Sequence, residues 1–191
     1  MKSFTATTAL LALISATSAA STSNLRFAKR NIPNGSCGGD PGQVGVANAI
    51  NAWNADVQTV NAFLEQAPSL DSTSILFDIE NVLTSAQDEP NQLTILACNE
   101  GVVPGTPGQT AADDLFAGFE NNVLVPLGNI IQSPADADNV ATQLHTINQF
   151  RCCSVLPDLD ALWEQTAADE GLVGTVPISA PRPSTCASIT C

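Results

Sequence analysis

The chain of 191 residues carries 19 Asp and Glu against six Lys and Arg and a single His, a net charge of −13 at neutral pH. A surface so acidic is repelled by nucleic acid and by anionic membranes, which disfavours both as partners; no nucleic acid is expected. Six cysteines and a length suited to one domain complete the frame.

The first thirty residues read as an address. Lys2 gives a positive start, Ala9 to Ile14 a short apolar core, and Ala16 to Ala20 the small residues that signal peptidase accepts. The apolar run is too short to span a bilayer, so no transmembrane segment is expected. The sequence predicts a signal peptide over 1–20 and a propeptide over 21–30, whose dibasic Lys29-Arg30 looks like the cleavage site of a kexin-type processing protease. A single domain over 31–191 is left, secreted to the extracellular space or the cell wall. It keeps all 19 acids against Arg151 and Arg182 alone, a net charge of −17 with no lysine. Self-repulsion of that size favours a monomer.

Oxidising surroundings turn six cysteines into three disulfides, drawn from Cys37, Cys98, Cys152, Cys153, Cys186 and Cys191. Fifteen connectivities remain open. The adjacent pair Cys152-Cys153 is expected to reach two different partners, because a bridge between neighbours closes a strained ring. A metal site is not expected, since no C-x-x-C pair exists and His145 stands alone. No cofactor motif appears.

In chain order, 31–43 is rich in Gly, Pro and Asn, and Asn34-Gly35-Ser36 fits the N-glycosylation acceptor. From Val44 to Gln66, Val46, Ile50, Trp53, Val57, Val60 and Leu64 form one apolar stripe at alternating spacings of four and three, which predicts a helix ended by Pro68. A second helix is expected from Asp71 or Ser72 through Ile75, Leu76, Ile79, Val82, Leu83 and Ala86. Asp88-Glu89-Pro90 reads as the first turn of a third, carrying Leu93, Ile95, Leu96 and Cys98. Gly101 to Gly108 is turn material. Thr110 is expected to cap a fourth helix with Leu115, Phe116, Phe119, Val123 and Leu124, kinked or interrupted at Pro126. Ser133-Pro134 reads as the start of a fifth, using Val140, Leu144, Ile147 and Phe150. Asp158 opens a sixth with Leu159, Leu162 and Trp163, stopped near Gly171. The remaining tail, with three prolines, reads as an extended strap fixed by disulfide. The fold class expected is all-α: a disulfide-stapled bundle of five or six helices with an extended C-terminal strap.

Nothing in the chain carries a catalytic signature. His145 has no G-x-S-x-G partner, and its neighbour Thr146 breaks the His-Asp pattern of secreted phospholipases A2. The acid pairs Asp113-Asp114, Asp136 with Asp138, and Asp158 with Asp160 sit at expected helix starts, where the helix dipole favours negative charge. The carboxylates at 136 and 138 lack the glycine and the distal glutamate of a calcium loop. These features point away from an enzyme. What remains is apolar surface, with Trp53, Phe63, Phe116, Phe119 and Phe150 as the side chains expected to meet a lipid or hydrophobic surface. An effector or inhibitor that binds an extracellular protein is the other class the chain accommodates.

Three blocks, AINAWNADVQTVNAFLEQ, AQDEPNQL and FRCCSVLPDLDALW with the closing CASITC, resemble ascomycete small secreted cysteine-containing proteins of unknown function. The first helix, AINAWNADVQTVNAFL, is similar in style to fungal hydrophobic surface binding proteins and cell-wall mannoproteins. The second resemblance implies binding of hydrophobic surfaces or fatty acids. The six cysteines depart from that group's pattern.

Overall fold

The computed structural model describes residues 37–191. The expected signal peptide (1–20), propeptide (21–30) and glycosylation acceptor Asn34 lie outside the described residues. Helix α1 (Gly42–Gln66) packs antiparallel on α2 (Ser72–Leu96) through a short turn that includes a 3-10 segment, Ala67–Ser69. A second hairpin follows. Helix α3 (107–132) runs through Pro107–Phe119, a π segment Glu120–Leu124, and Val125–Gln132. Helix α4 (137–169) runs through Ala137–Phe150, a π segment Arg151–Val155, and Leu156–Asp169. The two hairpins pack on each other, and no strand occurs among the described residues.

The described residues therefore form four helices, not the five or six expected, and prolines account for the difference. Pro90 opens no new helix; it lies inside α2, whose buried stripe continues through Ile79, Val82, Ala86, Glu89, Leu93 and Leu96. Pro126 and Pro157 do not break their helices either. In each, a wider π turn precedes the proline, and the residue just before it donates its N–H five residues back: Val125 to Glu120 O and Leu156 to Arg151 O. The enlarged turn accommodates a ring that has no N–H and crowds the preceding carbonyls, so the helix continues. The same device occurs once in each helix of the second hairpin.

Capping also shifts from expectation. Asp71 caps α2 by accepting from the Ser74 N–H at 2.8 Å, as its position predicted. Helix α3 starts a turn early, with Thr106 rather than Thr110 accepting from the Gln109 N–H at 3.3 Å and Pro107 at the first helical position. Asp136, not Ser133, caps α4 through the Asn139 N–H at 3.0 Å. Helix α4 ends where Gly171 takes φ +67°, which lets Leu172 N–H reach Ala167 O at 2.7 Å and folds Leu172 back onto the core.

Three disulfides staple these elements. Cys37–Cys98 ties the segment before α1 to the end of α2. Cys152–Cys186 and Cys153–Cys191 carry the adjacent pair in α4 to two points of the C-terminal strap, so the two neighbours do bridge different partners. Polar contacts hold the strap as well. Asp160 accepts from the Ala180 N–H at 2.7 Å and pairs with Arg182 at 2.6 Å, and Ser184 N–H donates to Glu65 at 2.6 Å.

The core is apolar with one charged inclusion. Trp53 and Trp163 meet edge to face, 6.2 Å between ring centres, at the seam of the two hairpins. Beside them Glu89 and Arg151 form an ion pair at 2.9 Å with both side chains 0% exposed. Glu89 uses its second oxygen to accept from Trp53 Nε1 at 2.9 Å. Arg151 Nη2 donates to Asn61 Oδ1 at 3.3 Å, and Asn61 Nδ2 donates to the Pro181 carbonyl at 2.8 Å. One chain of contacts thus joins α2, α4, α1 and the strap.

Candidate ligand-binding groove

The five aromatic residues expected to meet a ligand lie apart. Trp53, Phe63 and Phe119 are buried in the core, and Phe116 and Phe150 pack half-buried against it. The tip of the Phe150 ring fits against α3 because position 118 is glycine: a Cβ there would stand 2.3 Å from Phe150 Cζ. None of the five lines the apolar groove beside α4.

That groove, about 500 Å³, lies where the two hairpin turns come side by side. The α1–α2 turn contributes Ala67, Pro68 and Leu70, and the first turn of α2 adds Ser72 and Ile75. From the facing hairpin come Pro134 and Ala135 of the turn, then Ala137, Val140, Ala141 and Leu144 on the first half of α4. Small residues on both walls (Ala67 and Ser72 on one, Ala135, Ala137 and Ala141 on the other) leave the space between the branched side chains unfilled. The polar residues in the lining are Ser72, His145 and Asn148. Thr185 of the strap donates to Asn148 Oδ1 at 3.4 Å, so the strap borders the groove at one end. The volume lies in the range of small-molecule pockets, and the predominance of apolar lining is their usual character.

A second, shallower groove of about 460 Å³ runs between α1 and α2, with Phe63 and Val82 at its floor and Phe77 at its edge. Phe77 is 85% exposed, the most solvent-facing aromatic among the described residues. Leu76 beside it, expected to point inward, is exposed as well. A step of about 100° per residue sets Leu76 off the α2 stripe defined by Ile75 and Ile79, and Phe77 on the opposite side of the helix.

Carboxylates gather elsewhere. On the α1–α2 face, burial pushes Asp56 up to about 6, against a hydrogen bond from Ser85, and the charges of Asp88 and Glu89 push the same way. Asp88 is held below its ordinary value by the Asn91 and Gln92 amides, at 3.0 and 2.6 Å. Between α3 and α4, burial and then the neighbouring Asp114 raise Asp158 to about 6. Glu170 is also raised, by burial first and then by the charges of Asp40 and Asp169. None of these acids lines the 500 Å³ groove. Among the described residues no cluster of three or more His, Cys, Asp or Glu is arranged to hold a metal ion, and no helix is long and apolar enough to cross a membrane.

Comparison of the chain with protein-family models, with curated proteins and with solved structures finds no match.

Sequence reasoning missed three features. Glu89 and Arg151 stand where the stripes of α2 and α4 call for an apolar residue: Glu89 three after Ala86 and four before Leu93, Arg151 four after Ile147. A charged residue in phase with an apolar stripe is the signal that would have found them. Phe77 gives the converse signal, an aromatic out of phase with its stripe. The groove itself has no local signature, because its walls come from turns more than sixty residues apart.

Proposed function

We propose that the domain is a secreted, non-enzymatic binding protein that takes a small lipid-like molecule into the groove between its two hairpin turns. The observation that carries this reading is the 500 Å³ apolar groove, open at the surface of an otherwise filled core. The leader-like N-terminus and three disulfides support an extracellular setting. The likeness of the first helix to hydrophobic surface binding proteins points to the same class of ligand. An enzyme is disfavoured because His145, the one imidazole, makes no hydrogen bond with Ser72 or any carboxylate among the described residues, and a nucleophile needs such a base.

Native mass spectrometry of the purified 31–191 chain, before and after organic extraction, tests this. A discrete lipid mass that extraction removes is the expected result. Ala141→Trp fills the groove from the α4 side and should abolish uptake while the helical circular dichroism is kept. Uptake unchanged in that variant rules the groove out.

A second reading rests on Phe77. An exposed aromatic beside the shallow α1–α2 groove suits an extracellular protein partner, because buried aromatic anchors dominate protein interfaces. Phe77→Ser, with unchanged lipid uptake, should weaken capture of such a partner if this face is the one used.

A further inference from the structure

The charges around the groove restrict what it can hold. We infer that its ligand is an uncharged amphiphile, an aliphatic or ring body with a small hydroxyl-type head, and that a fatty-acid anion is refused. The inference rests on the groove reading above and deepens it.

Two observations lead there. A carboxylate entering an apolar groove loses its hydration and needs a paired cation in return, because neutral donors alone leave its charge uncompensated. The described residues hold two arginines, and both are committed elsewhere: Arg151 to Glu89 inside the core, and Arg182, on the strap, to Asp160 of α4. Neither touches the groove, and 31–191 has no lysine. A ligand anion would thus lie unpaired in a domain of net charge −17, where the long-range field opposes its approach.

A cationic head fares no better. No Asp or Glu belongs to the lining, so nothing inside the groove would neutralise an ammonium group. What the groove offers is one hydroxyl, one carboxamide and one imidazole, from Ser72, Asn148 and His145. These donate and accept neutral hydrogen bonds. A hydroxyl head, at once donor and acceptor, matches that set, while the apolar body meets Leu70, Ile75, Val140 and Leu144.

Calorimetric titration of the folded 31–191 chain with dodecanol, dodecanoate and dodecyltrimethylammonium, each below self-association, tests the assignment at neutral pH. Dodecanol should bind about tenfold tighter or more than either ion, the difference one uncompensated charge makes. The preference over dodecanoate should narrow at high salt, as the field of the domain is screened. Ala141→Trp should remove dodecanol binding. Dodecanoate or the ammonium binding as tightly as dodecanol overturns the neutral-head assignment and leaves the groove reading standing. Failure of all three to bind, or dodecanol binding that survives Ala141→Trp, overturns both.

Discussion

Arg151 and Glu89 face each other at 2.9 Å with no solvent access to either side chain, and the pair closes the seam between the two helical hairpins. Each partner holds more than the other. Glu89 also fixes the Trp53 indole, and Arg151 reaches Asn61 and through it the strap. Removing one partner leaves a buried charge without compensation, whereas removing both leaves only a packing problem. Arg151→Met is therefore expected to lose about 3–5 kcal/mol of unfolding free energy. Arg151→Met with Glu89→Gln should recover a large part of it. Urea unfolding of the disulfide-intact protein reads both, and equal losses in the single and double variants would contradict the pairing.

The raised carboxyls make stability depend on pH in a definite sense. Asp56 and Asp158 titrate at about 6 in the folded chain, above their ordinary value of 3.8. Folded protein therefore binds more protons than unfolded protein between those values, and stability falls as pH rises through 6. Asp71 and Asp88 are shifted down and weaken the fold only at more acid pH, below 3.8. The melting temperature should be higher near pH 5 than at pH 7. Because both groups are partly solvated, the gain is on the order of 1 kcal/mol. Asp56→Asn should raise stability at neutral pH and flatten the profile. A melting temperature that climbs steadily from pH 5 to 7 would exclude this account.

Gly118 is set by the Phe150 ring above it. A methyl at position 118 would meet that ring at 2.3 Å, so the ring or one of the two helices has to shift. Gly118→Ala should cost about 1–3 kcal/mol by overpacking, despite the better helix propensity of alanine. Phe150→Leu in the same chain should relieve part of the cost. Stabilisation by Gly118→Ala alone would show that the ring yields freely.

The strap depends on its two bridges. Cys152→Ala with Cys186→Ala should lower stability by about 2–5 kcal/mol. It should also expose the strap to limited proteolysis, because between Cys153–Cys191 and the polar contacts of 180–184 no covalent tie then remains. Mass mapping of the early cleavage products reads this directly, and cuts confined to the 101–106 loop would argue against it.

The apolar stripes of α1 and of the first half of α4 are legible in the sequence, since every buried position recurs at helical spacing and no proline intervenes. The number of helices was not. Proline is a good marker of helix ends on average, yet Pro90, Pro126 and Pro157 are all carried inside continuous helices, the last two by π turns that leave no trace in composition. The adjacent cysteines were readable as two separate bridges, while their partners needed the fold. The groove was illegible for a different reason. It exists where two turns stop short of each other, and no single stretch of chain encodes a gap.

One consequence follows from where the arginines sit. A protease that cuts after Lys or Arg finds two bonds of that kind in 31–191, one withheld by the fold and the other by its neighbour in sequence. Arg151 lies fully inside the core on a helix. Arg182 precedes Pro183, whose ring nitrogen makes a poor cleavage point. A protease of that specificity therefore has no readily cut bond in 31–191, a resistance that comes directly from the scarcity of positive charge.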